Sequence, residues 1–327
     1  MRTNIGIVLA LAAAPGLWAQ NVISARSGLI HFVEGTVTLD GQKVKPKNGE
    51  FPIVEKGQTL ATQDARAEVL LTPGVFLRVG AQSSFKMVSN LLSDTRLEVL
   101  SGTAIIEVDD LPKGNSVVVL YHDAKISPLK HGLYRLDVSD NRLRVFDGEA
   151  QVIQGDQTAQ VKAGHQIEFG SVFLASKFNR KYGDTLDAWA ANRSQRIAQA
   201  NLTSANMVSN GSGGYSSYTT SNWVWNPYFG LFTYLPYSGY GYNPYGWTIY
   251  SPRTVGYFYN AYQQPNYGGN NAGNARITNG LSDSGSSGAM QGSSMSSSIG
   301  AAPQMSPGMA STGRGPAASG GGARGGR

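Results

Sequence analysis

Four histidines and no cysteine bound the nucleophile and metal chemistry open to this 327-residue chain. His31, His122, His131 and His165 are scattered, and only His122-Asp123 with His131 offers a metal or acid/base pair, by meeting across a loop. A dependable metal site needs three or four donors and a supporting shell, and this spacing fits no helix or strand pairing, so the histidines read as surface or turn residues. Asp109-Asp110 and Asp137 with Asp140 are paired carboxylates, the residues a glycosidase sets across a cleft. The first pair adjoins Leu111-Pro112-Lys113-Gly114 and the second flanks a hairpin turn, so turn chemistry accounts for both. There is no calcium ladder and no Gly-rich phosphate loop followed by Lys and Ser or Thr. The expectation is therefore no catalytic residue, no metal site, no cofactor and no enzyme.

The strongest recognition signal is WVWNPYFGLFTYLPYSGYGYNPYGW, residues 223 to 247, which is crowded with rings and carries no charge. It holds a duplication: Trp225-Asn226-Pro227-Tyr228-Phe229-Gly230 and Tyr242-Asn243-Pro244-Tyr245-Gly246-Trp247, 17 residues apart. Proline fixes φ and pushes the residue before it to extended geometry, so each Asn-Pro begins a turn that presents flanking rings. Pro227, Pro236 and Pro244 also rule the stretch out as a spanning helix. Tyr and Trp pair broad apolar faces with a polar handle. Three readings compete: packing on the rest of the protein, stacking on a sugar or partner protein, and self-association. Packing is favoured, and the candidate ligand or partner contacts are Trp223, Trp225, Tyr228, Tyr242, Tyr245 and Trp247.

The elements that position these rings follow from periodicity. From residue 28 to 170 apolar and polar residues alternate and turn dipeptides cut the runs. Ala67, Val69 and Leu71 alternate with Arg66, Glu68 and Leu70; Pro73-Gly74 then turns the chain into Val75, Leu77 and Val79. Tyr134, Leu136 and Val138, then Leu143 and Val145, then Ala150 and Val152 continue a meander with one face buried and one charged. Further strands are predicted over 33–39, 97–100, 103–108, 117–121, 159–163 and 166–169. Glu34-Gly35-Thr36-Val37, Ser101-Gly102-Thr103-Ala104 and Asp147-Gly148-Glu149-Ala150 echo one another at unequal spacings of 67 and 46 residues. Each sets a turn glycine before a strand whose second and fourth residues point inward. The predicted fold class is all-β, a multi-hairpin β-sandwich or short solenoid-like domain large enough to bury its own core.

Between 181 and 206 the period changes to that of a helix, capped by Asp184 or Thr185. Leu186, Trp189, Ala190 and Ile197 lie near one stripe, with Arg193 and Arg196 facing out. Trp189 is assigned to packing. Residues 207–222 read as a flexible connector, 223–267 as the aromatic appendage, and 268–327, without one aromatic residue, as a disordered Gly/Ser-rich tail. The opening MRTNIGIVLALAAAPGLWAQ reads as a signal peptide over 1–19, with no cysteine after it for lipid anchoring and no transmembrane segment left after cleavage. Periplasmic, extracellular or cell-surface residence is expected. The formal charge of +6 does not mark a nucleic-acid binder: from Gln20 to Ala200 there are 21 basic and 20 acidic side chains, and the excess lies in five dispersed arginines beyond Ala200.

The ordered run EGTVTLDGQKV, VEKGQTLATQDARAEVLLTPGVFLRVGAQSSFKM, LEVLSGTAIIEV, HGLYRLDVSDNRLRVFDGEAQV and VKAGHQIEFG resembles the FecR domain. Gly57 to Thr62 matches its G-x-x-apolar-x-T corner, and the hairpin from Gly74 matches the next motif. The resemblance implies a periplasmic, non-enzymatic β module that relays a signal from an outer-membrane receptor. This sequence departs from that plan: no cytoplasmic segment precedes its apolar run, and nothing after Gly170 looks like the receptor-contacting subdomain. The secreted form of the family, with a Trp- and Tyr-rich extension, is the better likeness. The function expected is an exported binding or scaffold protein of the cell envelope, with an envelope protein or polysaccharide as partner. The alternative is a surface adhesive or polysaccharide-binding protein acting through its aromatic segment.

Overall fold

Short alternations broken by turn glycines dictate many short strands rather than a few long ones. The computed structural model describes residues 26–44, 51–170, 173–180, 183–211 and 220–256, and in it the pattern becomes two stacked sheets. The first strands are β1 (Leu29–Glu34), β2 (Val37–Leu39), β3 (Gln42–Lys43), β4 (Thr59–Thr62), β5 (Arg66–Leu70) and β6 (Val75–Val79). Then come β7 (Ser84–Leu91), β8 (Asp94–Ser101), β9 (Thr103–Val108), β10 (Val117–Tyr121), β11 (Ala124–Pro128) and β12 (Gly132–Asp137). The sandwich closes with β13 (Arg142–Asp147), β14 (Glu149–Gln154), β15 (Gln157–Lys162), β16 (His165–Glu168) and β17 (Ser176–Lys177). One sheet has eight strands, ordered β1-β5-β6-β9-β12-β13-β16-β17; the other has nine, ordered β15-β14-β11-β10-β8-β7-β4-β2-β3. This is the all-β architecture expected from the sequence. The strand predicted over 33–39 is instead two, broken at Gly35.

The three echoed glycines mark the crossings between sheets. Gly35 joins β1 to β2, Gly102 joins β8 to β9 and Gly148 joins β13 to β14, and each time the chain passes from one sheet into the other. All three have positive φ, at 88°, 74° and 83°, a region open to glycine at little cost. Space is short as well: a Cβ on Gly102 would lie 2.6 Å from the Ser83 Cα, and one on Gly148 would lie 2.5 Å from the His131 carbonyl oxygen. Past each corner Val37, Ala104 and Ile106, or Ala150 and Val152, enter the core between the sheets. There they meet Ile30, Val69, Leu77 and Leu136 of one sheet and Leu60, Phe85, Leu97 and Val119 of the other. Full burial of such a side chain contributes about 1.5–3 kcal/mol before ordering entropy is subtracted.

Helix α1 (Thr185–Ser209) lies on the outer face of the eight-stranded sheet, where Leu186, Trp189 and Ala190 pack with Ile105. Two hairpins extend this cover: β18 (Asn222–Asn226) with β19 (Leu231–Leu235), and β20 (Tyr240–Tyr242) with β21 (Thr248–Tyr250). A helical turn over 252–256 follows, with Val255 packed against Val208 and Leu235. Two sequence expectations are corrected here. The charged face of the sheet is dry over β5, β6, β9 and β12, where Glu68, Arg78, Glu107, Arg135 and Asp137 are buried, and Arg193 does not face out but is buried. The stretch predicted as connector begins inside the helix, which runs to Ser209, and its last residue, Asn222, opens β18. The expected signal peptide, the tail, half of the connector (212–219) and the end of the aromatic segment (257–267) lie outside the described residues.

Candidate functional site

The outer face of the eight-stranded sheet carries Glu68 on β5, Arg78 on β6 and Glu107 on β9, all buried. Glu68 and Arg78 are direct cross-strand partners. The Glu68 carboxylate accepts from Arg78 Nε at 3.0 Å, from Arg193 Nη2 at 2.6 Å and from His31 Nδ1 at 2.9 Å. Arg78 Nη1 donates to Glu107, whose other oxygen accepts from Ser194 Oγ at 2.6 Å. Burial pushes the Glu68 carboxyl up, but Arg193, Arg78 and the His31 hydrogen bond outweigh it and hold it well below the usual carboxylate range. Burial likewise opposes the charge on Arg78, yet Glu107 and Glu68 keep its affinity for the proton raised. Ions taken this far from water are stable only when each has its counter-ion and its hydrogen bonds.

The cover is stitched to this network by its own polar groups. Asp184 caps α1, accepting from the amides of Leu186 at 2.8 Å and Asp187 at 3.0 Å, while the Asp187 carboxylate accepts from the Asp184 amide at 2.9 Å. That reciprocal box satisfies orphan donors of the first turn. Arg135, on β12, donates to Asp184 and to Asp187 at 2.6 Å each and so ties the helix start to the sheet. Hydrogen bonding to Arg135 depresses the Asp184 carboxyl to about 2.

The duplicated Asn-Pro units do one job twice. Asn226 Oδ1 accepts from the amides of Tyr228 and Phe229, at 3.0 and 3.1 Å, and its Nδ2 donates to the Ala200 carbonyl and Ser204 Oγ on α1. Asn243 Oδ1 accepts from the amides of Tyr245 and Trp247, at 3.1 and 2.9 Å, and its Nδ2 donates to Ser194 Oγ at 2.6 Å. Each asparagine thus shapes its own turn and clamps it to the helix. Asn201 of α1 reaches the other way, donating to the Tyr234 and Tyr250 carbonyls at 2.8 and 3.0 Å.

The candidate contact residues divide into two sets. Trp223 is buried against Phe76, with ring centroids 5.0 Å apart, and Trp225 is half-buried edge-on to Phe51 and Phe232, at 5.4 and 5.2 Å. Tyr245 is half-buried with its hydroxyl enclosed and without a partner. Tyr228, Tyr242 and Trp247 remain exposed, at 78%, 61% and 36%. Tyr240, 58% exposed and stacked on Tyr250 across the β20–β21 hairpin at 6.4 Å, belongs with them, which its sequence neighbours did not signal. Tyr240 and Tyr242 line a cleft of about 180 Å³ together with Asp109, Asp110, Tyr234 and Ile249, among others.

Of the paired carboxylates Asp140 lies in its turn as expected, whereas Asp109, Asp110 and Asp137 have surroundings beyond turn chemistry. Asp110 accepts from the Tyr234 hydroxyl at 2.5 Å. Both Asp109 oxygens are enclosed and accept from no donor; burial, then the adjacent Glu107 carboxylate, push its carboxyl well above the usual range. Asp137 is buried in ion pairs with Arg135 and Arg144, at 2.9 and 3.1 Å, while Asp140 meets Arg144 at 2.9 Å. Of the histidines, His31 is interior rather than a surface or turn residue, and strand alternation alone gave no sign of its cover. His122 sits at a turn with φ 50° beside the Tyr121 ring, Asp123 accepts from Gln154, and His131 Nε2 meets the Tyr242 carbonyl at 2.7 Å, so the three have separate partners. Among the described residues no three His, Asp or Glu side chains converge as a metal-binding set, and no helix is long and apolar enough to cross a membrane.

No protein family matches the chain and no curated protein does. Two crystal structures of a "putative anti-sigma factor" from Parabacteroides distasonis ATCC 8503 are similar to it, each at 15% identity with a TM-score of 0.34. The match covers 41% of this chain and 64% of that one, so this chain spans less than two thirds of that protein's length.

Proposed function

We propose that this protein is a non-enzymatic, exported binding or scaffold protein of the cell envelope, working in the periplasm or at the cell surface in FecR-type signalling. One observation carries the reading. The cover spends its inward groups on the sandwich and leaves Tyr228, Tyr240, Tyr242 and Trp247 facing solvent on elements clamped by Asn226, Asn243 and Asn201. Rigidly held amphipathic rings lose little conformational entropy on contact, which suits a recognition surface. The buried carboxylates and guanidiniums, Glu68, Glu107, Arg78 and Arg193, hold one another and serve the fold.

The test is capture from solubilised envelope fractions by the full chain and by the Tyr240→Ala/Tyr242→Ala variant, whose altered rings are exposed and leave the core intact. Loss of specific capture in the variant supports the reading; equal capture overturns it. The second reading, a surface adhesive or polysaccharide-binding protein, draws support from Tyr240 and Tyr242 lining a cleft with Asp110, and retention on an immobilised envelope polysaccharide would favour it.

A further inference from the structure

Charge is out of balance at one end of the buried network. Glu68, Glu107 and Asp110 face only two guanidiniums, Arg78 and Arg193, and both of these are engaged by Glu68 or Glu107. Among the described residues no ion pair includes Asp109 or Asp110. Both residues border the cleft walled by Tyr234, Tyr240 and Tyr242, and no lysine or arginine lines it. Burial and the Glu107 carboxylate favour the protonated form of the enclosed Asp109, so the charge the cleft offers is that of Asp110. Tyrosine faces carry negative potential that attracts cations, and the attraction grows where water is excluded. The opening is below the roughly 300 Å³ at which pockets for whole small molecules begin. It suits the tip of one side chain.

We propose that this cleft receives the cationic head of a lysine or arginine side chain presented by a partner polypeptide, with Asp110 as counter-ion and Tyr240 and Tyr242 as the ring walls. The inference rests on the reading of the chain as a protein-binding module and names the chemistry its partner must offer. The Tyr234 hydroxyl donates to the Asp110 carboxylate and holds it in place. A neutral hydroxylated ligand would leave the excess charge unmet.

The test titrates the full chain with Nα-acetyl-arginine amide, Nα-acetyl-lysine amide, the uncharged Nα-acetyl-citrulline amide, n-butylammonium and N-acetylglucosamine oligomers, read by NMR shifts of the tyrosine ring protons. Expected is saturable binding of the arginine and lysine amides, about tenfold tighter than the citrulline amide, since one charge-assisted contact is worth about that factor. Asp110→Asn and Tyr242→Ala each weaken it about tenfold, whereas Tyr228→Ala leaves it unchanged. Thermal melts of all variants report folding, and Tyr242→Ala, at an exposed site, keeps the test readable should Asp110→Asn melt early. Equal binding of the citrulline amide, binding of the oligosaccharide alone, tighter binding of n-butylammonium than of the amino-acid amides, or no saturable binding overturns the proposal. If the amides fail to bind while envelope capture persists, this inference falls and the binding function stands. If the amides bind and capture fails, the reverse holds.

Discussion

His31 Nε2 accepts the backbone N–H of Phe232 at 2.8 Å, joining the first strand of the sandwich to the aromatic hairpin across 201 residues of sequence. Because Nε2 is the acceptor, the ring's proton sits on Nδ1 and is donated to Glu68. The imidazole is neutral, and burial holds its proton affinity below the ordinary histidine value, partly offset by Glu68. A protonated ring would have to give up the Phe232 bond.

Stability should therefore depend on pH through His31. The unfolded chain takes up the proton near 6.5 and the folded chain only at lower pH, so the unfolded state binds more protons between those two points and stability rises with pH there. The full contribution is present above 6.5 and is lost as pH falls below it. Urea midpoints between pH 7.5 and 5 should fall with acidification, and the fall should be shallower in His31→Gln.

Glu68 is the acceptor on which Arg78, Arg193 and His31 converge. Glu68→Ala leaves two guanidiniums buried without their counter-ion, and the expected loss is about 3–5 kcal/mol, the cost of breaking a buried pair from one side. Urea denaturation measures it. The double variant Glu68→Ala/Arg193→Ala should lose less than the sum of the single losses, because the pair interacts directly.

Asp109 should behave in the opposite sense. Its carboxyl holds its proton more tightly folded than unfolded, in the company of Glu107, Arg78, Asp110 and Tyr245. The folded state then binds more protons above the ordinary value of 3.8, and stability falls as pH rises from there through the folded value. Asp109→Asn, neutral and of nearly the same shape, should raise the melting temperature at pH 8 more than at pH 4. Equal shifts at both would contradict this account of the side chain.

Asn226 and Asn243 hold equivalent turns. Replacing either by alanine strips two turn amides and a helix partner of their bonds, and each change should cost about 1–3 kcal/mol, the penalty for unsatisfied buried groups. Melts of Asn226→Ala and Asn243→Ala provide the measurement, with Asn222→Ala, at the half-buried start of β18, as a milder comparison.

Much of the sandwich was legible in the sequence, because local chemistry dictates it. Thr103–Val108 and Val117–Tyr121 form strands over the expected residues, and Asp184 was named among the helix caps. The buried polar network was hidden by the same alternation. Arg66-Ala67-Glu68-Val69 reads as one dry and one wet face, and only the arrival of Arg193, 125 residues on, makes the Glu68 side interior. One signal was present: Ala190, Arg193, Ser194, Ile197, Asn201, Ser204 and Val208 share a helical stripe and are all buried. Polar residues on a packing stripe imply polar partners opposite. For the cleft there was no local sign, since it needs Asp109 and Tyr242 to meet across distant segments.

The central claim is that the aromatic hairpins belong to the folded body and present their outer rings from it. Native-state hydrogen exchange tests it most directly. The amides of Phe232 and Tyr250, bonded to His31 and Asn201, should exchange only through global unfolding, as slowly as those of β6 and β9. Exchange of both amides orders of magnitude faster than the sandwich strands would show an appendage that opens on its own, and would contradict the account.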